Sequence, residues 1–519
     1  MIDSAHRQWG VRLAGIAAVL LFLVLVARFW HPVYGLTAFF QLDAGNDKLK
    51  IAEFHELPVY VWRDTGGYDG LYYAQIAQDP TLRHPELPRA MDNLSYRARR
   101  ILPPALAWLL GAGQPAGIVL AYSLLNVGAW FLFAAMLWRL FGVASLRGWI
   151  AWAGLLFSAG VLSSVRLALT DLIALTLIAA SLAAAEHARG RIAVVLLGAA
   201  NLARETSLLA GFGLCQSPWV SRRNFLRLAL ATAPLIAWFA YNRGRAGPAD
   251  QGWANFTFPV MGLIEKAGAS LHAAFHLEDR LLAWTTLLAL VALVVQAAFI
   301  LVRRRPDDPW WRLGAAYGLL LLTLGTAVWE GFPGAATRVL LPLNLAFNVL
   351  ALRSQVNLAW LVAGNLSVFS GLLALRDVPQ DRLELAAARQ GAAACVARFN
   401  DTWYDREQDR RHTWLWAREQ GRLDLEIWPR TGTPVRLEFG LRSLSPRVVT
   451  LEHEGRELWR AAVGVLSETH QVVVPASGGM TTLVFRSDTP PLPEATTPGA
   501  RELGFALYDL RVALPASEP

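Results

Sequence analysis

The chain has 519 residues, of which 54% are hydrophobic and only 17% charged, and its mean hydropathy is +0.34. A soluble domain carries about 25% charged residues, so this deficit excludes an ordinary soluble protein and predicts a mainly α, polytopic membrane bundle. The formal charge of +8 comes without a basic tail or aromatics interleaved with Lys and Arg; it suits topology and lipid phosphates, and nucleic acid is excluded as a partner.

The N-terminus, MIDSAHRQWGVR, leads into an apolar run from Leu13 to Trp30. That run is long enough to span, and no small-x-small cleavage site follows it before His31-Pro32, so an uncleaved signal anchor is expected. Further apolar spans fall at about 116–141, 148–165, 168–187, 191–215, 226–241, 281–302, 311–328, 338–353 and 356–375. Together they predict about 10–11 membrane helices. Basic residues set the orientation. Arg7 and Arg12 place the N-terminus inside, and Arg139 with Arg147, Arg189 with Arg191, Arg222 with Arg223 and Arg227, Arg303 to Arg305, and Arg353 mark later inside loops.

Both ends of 191–215 carry inside-type charge, and one straight helix cannot begin and end on the same side. An Arg204-Glu205 pair in mid-bilayer would also be expensive. Both conflicts vanish if residues 191–203 rise, turn at Arg204-Glu205, and 206–215 descend. Residues 31–115 and 243–280 then form long outer loops, and the final span delivers the C-terminal region outside.

After about residue 378 the chain becomes charged and rich in Gly and Pro. Period-two patterns appear at Leu423, Leu425, Ile427; Val435, Leu437, Phe439, Leu441; Val472, Val474; Leu483, Phe485; and Leu510, Val512, Leu514. Breaks at 429–434 and 476–479 separate them. These predict a C-terminal antiparallel β-sandwich over 378–519, entered through a connecting helix over 380–398, with a transmembrane domain over 1–377. Trp403, Tyr404, Trp414, Trp416, Trp428 and Trp459 fit either a sandwich core or platforms that stack on sugars. Cys215 and Cys395 form neither a metal spacing nor a disulfide framework. His272 and His276 stand four apart without an evident third ligand, so no metal is indicated.

The first outer loop concentrates polar groups: Asp64 and Asp69 lie within WRDTGGYDGLYYAQIAQDP at 62–80, with Tyr72, Tyr73 and Asp79, and Tyr96, Arg97, Arg99 and Arg100 follow. Glycines at 66, 67 and 70 let the backbone turn close to a ligand. An outward-facing carboxylate near a membrane can take a proton from a hydroxyl, and guanidiniums nearby can hold a phosphate bidentately. Charges at other expected outer helix ends, Arg166 with Asp171, Arg204 with Glu205, and Glu330 with Arg338, fall on the same face. The residues thus describe a transferase acting on a lipid phosphate. A network of structural ion pairs would use the same residues.

YDGLYYAQIAQDP followed by SYRARRILPPALAWLL resembles the first loop of bacterial integral-membrane glycosyltransferases of the GT-C superfamily, polyprenyl-phosphate-sugar-dependent and more distantly similar to PIG-V-type mannosyltransferases. LARETSLLA at 202–210 and TRVLLPL at 337–343 look like motifs of such proteins. The resemblance covers roughly 11–375. It implies a lipid-linked sugar donor, usual inversion at the anomeric carbon, and a catalytic Asp in the first outer loop: Asp69 first, Asp64 second. It implies substrate or phosphate contacts at Arg97, Arg100, Arg204 and Arg338, and Tyr73 and Glu205 are counted with them. The implied setting is the bacterial inner membrane with the C-terminal domain periplasmic or extracellular, and a glycan, lipid or protein acceptor. FNDTWYDRE and RHTWLWA look like accessory β-domains of some of these enzymes. A flippase of a lipid-linked saccharide, or a sugar-binding assembly protein of the cell envelope, would share many of these features; a flippase would be expected to show inverted repeats with helix breaks in both halves.

Overall fold

The computed structural model describes residues 2–248, 255–276, 279–429, 433–475, 479–497 and 499–515. Two compact units emerge. One comprises 1–29, 36–51 and 61–378; the other comprises 30–35, 52–60 and 379–519.

The first unit is helical. Among the described residues, four helices are long and apolar enough to cross a membrane: Gln8–Ala27, Pro115–Leu140, Arg222–Ala246 and Arg280–Val302. The pair Leu146–Leu156 and Ala159–Arg166, bent by 40°, makes a fifth if taken as one span. Their outward faces carry large apolar side chains, among them Leu20, Val24, Leu120, Leu132, Phe225, Ile236, Val291 and Leu301. Such faces match hydrocarbon rather than water.

The other apolar runs fold into shorter pieces. The run at 168–187 is the helix Asp171–Glu186, 16 residues or about 24 Å long, short of a hydrocarbon core of about 30 Å. The run at 356–375 divides into Leu358–Gly364 and Val368–Ala374. At 191–215 a helix spans Gly190–Ala203 and stops where Arg204 turns extended (φ −157°, ψ 124°). A 3-10 turn, Glu205–Ala210, and a short helix, Gly211–Leu214, follow. The chain has doubled back by then: Arg227 donates to the Leu214 carbonyl (3.2 Å) while its guanidinium lies against Gly190. Continuous hydropathy therefore overstates the count of long helices, because it does not register where backbone hydrogen bonding stops. An unexpected helix, Met261–His276, lies in the supposed outer loop 243–280; residues 249–254 and 277–278 of that loop are outside the described residues. In this helix the rings of His272 and His276 lie together, centroids 4.7 Å apart.

The second unit is an antiparallel sandwich of two large sheets, with a separate two-stranded ladder of Leu492–Pro493 and Glu502–Leu503. One sheet orders its strands Glu384–Gln390, Ala393–Phe399, Gln420–Trp428, Gly479–Ser487, Arg447–His453 and Arg456–Val463. The other runs Glu407–Gln408, Thr413–Ala417, Phe505–Ala513, Val435–Ser443 and Glu468–Val474. Alternate residues of both sheets, including Leu423, Leu425, Ile427, Val435, Leu437, Phe439, Leu441, Leu483 and Phe485, fill one shared core, as period-two burial requires. The breaks read at 429–434 and 476–479 fall largely on residues outside the described set.

The connecting helix expected over 380–398 is a β-hairpin. Glu384–Gln390 pairs with Ala393–Phe399 around Gly391, whose φ is +61°. Its second strand continues into Gln420–Trp428, with Ala397 opposite Leu425. The alanines favour helix locally, but sheet pairing and burial of Cys395 and Ala397 override that preference. Two pieces of the first loop also belong to this unit. The His31 side chain bonds Glu384 (3.0 Å), Arg389 donates to the Val33 carbonyl (2.9 Å), and Arg398 donates to the Tyr34 hydroxyl (2.6 Å).

Candidate active site

The first loop is built on local turns. Asp43 accepts from the Gly45 and Thr65 amides and the Thr65 hydroxyl (2.7–2.9 Å), and a parallel bridge joins it to Trp62. Buried Gln75 accepts from the Ile51 amide (2.8 Å) and donates to the Leu49 carbonyl (2.9 Å). Asp79 is committed to its own turn, accepting from the amides of Thr81, Arg83 and His84. These three residues hold the loop together.

Asp69 immediately precedes the helix Gly70–Ile76. Gly70 is required there: a Cβ would stand 2.4 Å from the Leu167 carbonyl oxygen. Asp69 Oδ2 contacts Arg97 Nη1 at 2.7 Å, and its side chain remains 23% exposed. The same guanidinium grips Asp92 through Nε (3.0 Å) and Nη2 (2.6 Å) and lies over the rings of Tyr72 and Tyr96. One step deeper, Arg100 forks onto Glu205 (3.0 and 2.9 Å) and donates to the Tyr73 hydroxyl (2.7 Å). Burial pushes the Tyr73 hydroxyl up to about 12, so it stays protonated near neutral pH.

A third group adjoins these. The carboxylate of Asp171, almost wholly buried, is bonded by Arg204 and stands 3.5 Å from Arg338 Nη1. Arg338 Nη2 donates to the Tyr68 hydroxyl at 2.5 Å, and its guanidinium lies over that ring. Tyr68 therefore joins this group to Asp69, its neighbour in the chain. Burial raises its hydroxyl, against the pull of Arg338. Two guanidiniums thus share one carboxylate, while Arg97 serves two, so the arginines and carboxylates of the whole cluster balance in charge.

The fold brings Asp69, Tyr73, Arg97, Arg100, Arg204, Glu205 and Arg338 together, although they come from three stretches far apart in sequence. Asp64 stands apart. It is exposed, sits at a left-handed turn (φ 57°), and makes no ion pair or side-chain hydrogen bond among the described residues. Exposed Glu330 also lies away from the cluster, near Lys266. Arg166 stacks on Phe29 and Trp62. Asp92 carried no sequence signal beyond its charge. Asp171 gave a weak one, a carboxylate opening an apolar helix.

No family model matches the chain, and no curated protein matches it. Among solved structures, it has 9% identity and a TM-score of 0.16 to one described as "CBM4 structure and function", covering 23% of this chain and 78% of that one. It has 12% identity and a TM-score of 0.12 to the arabinosyltransferase EmbB from Mycobacterium smegmatis. That alignment covers 86% of this chain and spans 57% of EmbB. Scores this low establish no common fold.

Proposed function

We propose that this chain is a multi-pass membrane glycosyltransferase of GT-C type that uses a polyprenyl-phosphate sugar. Asp69 takes the proton of an acceptor hydroxyl as the oxygen attacks the anomeric carbon. The bond from that carbon to the phosphate oxygen breaks, its electron pair leaves with the polyprenyl phosphate, and the anomeric centre inverts. Arg97 must release Asp69 Oδ2, or the hydroxyl must approach the free Oδ1. Arg204 and Arg338 stabilise the departing phosphate, while Arg100, Glu205 and Tyr73 hold the wall behind them. The acceptor is a glycan, lipid or protein hydroxyl, and the reaction faces the outer side of a bacterial inner membrane.

The observation that supports this reading is the pairing of two guanidiniums with the single carboxylate of Asp171, linked through Tyr68 to a partly exposed Asp69. Purified protein is to be incubated with a panel of labelled polyprenyl-phosphate sugars, and the label followed. Asp69→Asn is expected to slow transfer by about 10²–10⁴-fold, as for loss of a general base, and Asp64→Asn to leave it near wild type. Near-wild-type transfer by both variants would sink the assignment.

A further inference from the structure

The outer face of the five-stranded sheet departs from what a sandwich needs. Its inner face already fills the shared core through Leu415, Leu437, Phe439, Leu441 and Leu507. The opposite face of a solvated antiparallel sheet is ordinarily polar. Here it carries Trp414, Trp416 and Tyr508, which form a second, separate cluster with Leu503 and Ala506. Trp414 and Tyr508 stack face to face, centroids 5.4 Å apart at 15°.

These rings line a cavity of about 770 Å³ that also holds Glu438, Gly440 and Arg442. The last three project from one strand onto this face at successive outward positions, because side chains alternate. Gly440 leaves the middle of the row bare. A Cβ there would stand 3.0 Å from the Tyr508 Cβ and 2.8 Å from the Ser467 Oγ, so glycine at this position is what lets Tyr508 and Ser467 close in on the strand.

Arg442 supplies the telling detail. Its guanidinium lies 5.4 Å from the Trp416 ring centre and 5.7 Å from that of Tyr508. Its side chain makes no hydrogen bond or ion pair among the described residues, and its buried Nε has no acceptor. Buried donors are normally satisfied. The guanidinium also borders the cavity, so its terminal N–H groups are open to an acceptor that enters there. At the other end of the row, Glu438 accepts from Gln471 (3.2 Å) through one oxygen and retains acceptor capacity on the other.

We infer that this groove is a glycan-binding site, distinct from the proposed transfer site and independent of it. Sugars present both surfaces the groove complements. Their apolar C–H faces pack on aromatic rings, and their ring and hydroxyl oxygens accept from Arg442 while hydroxyls donate to Glu438. The row from Glu438 to Arg442 is about 13 Å long at strand rise, so an oligosaccharide fits it better than a monosaccharide.

The test uses full-length protein in detergent on a glycan array printed with pentose- and hexose-based oligosaccharides, with positives titrated in solution. Wild type is expected to bind at least one oligosaccharide. Arg442→Gln and Glu438→Gln should each weaken that binding by about tenfold or more, with an unchanged far-UV spectrum and thermal midpoint. Arg486→Gln, on the other sheet, should bind as wild type. The inference is overturned if wild type binds no glycan, or if binding survives both groove substitutions unchanged. Asp69→Asn should bind glycan as wild type; loss there would place binding in the transfer site and overturn the inference too.

Discussion

Asp69 and Asp92 compete for one guanidinium. Arg97 reaches Asp69 through one nitrogen and Asp92 through two, so its position depends on both carboxylates being charged. Burial pushes the Asp92 carboxyl upward, but the Arg97 bonds outweigh it and hold the group below the usual carboxylate range. A depressed folded value means that the stabilisation is complete above the unfolded value of about 3.9 and is lost as pH falls through the lower folded one. The thermal midpoint should therefore hold from neutral pH to about pH 5 and then decline. Asp92→Asn should flatten part of that decline, and an unaltered slope would show that the pair does not couple to folding. Arg338 offers a second case. It serves Asp171 and Tyr68 with two different nitrogens, which a lysine cannot reproduce. Arg338→Lys should lower transfer by about tenfold or more with the protein still folded by circular dichroism. Wild-type rates in that variant would remove Arg338 from the site.

Among the elements, the short helix Gly70–Ile76 is tightly confined at its first residue. It starts against the carbonyls of Leu167, Phe39 and Phe40, all within 3.2 Å of a hypothetical Gly70 Cβ. Gly70→Ala must displace backbone rather than a flexible side chain. It should cost about 1–3 kcal/mol of stability, read by thermal unfolding, and should impair transfer by moving Asp69. The β-hairpin over 384–399 makes a different prediction. Cys395 is fully buried in the sandwich core, and burial pushes its thiol up to about 12. A maleimide should leave Cys395 unmodified in the native protein and label it after denaturation; rapid native labelling would contradict the strand assignment. This hairpin was not legible as a strand pair because alanine does not announce a face. The strands from Leu423 to Leu441 were legible because each alternates large apolar and polar residues against a dry core.

At the scale of the molecule, several long helices present leucine, isoleucine, valine and phenylalanine outward, surface that water would not tolerate in such quantity. The protein should sediment with membranes, resist alkaline carbonate and dissolve only in detergent. Release by carbonate would contradict the reading of these helices as spans. The side on which the sandwich unit lies is testable with Ser467→Cys, an exposed position in its loops. A membrane-impermeant maleimide applied to intact cells, with the outer membrane permeabilised where one is present, should label it. Labelling only after lysis would reverse the proposed topology.

Amino-acid order by itself determined the long apolar runs of the first unit, the change of composition near residue 378 and the alternation of the later strands, since hydropathy and period are local properties. It also marked the stretch from Trp62 to Pro80 as polar between apolar runs. Only the tertiary structure decided that Asp69, not Asp64, faces a guanidinium, and that Asp171 holds Arg204 and Arg338 together. It likewise decided that an alanine-rich run is a hairpin and that pieces at 30–35 and 52–60 belong with the sandwich. The ion pairs join residues 28 or more positions apart, and the hairpin, whose own pairs are local, is held in the sheet by a strand equally distant in sequence, with Ala397 opposite Leu425. An ion pair or a strand partner is a property of two distant residues at once, and neither one signals the other along the chain.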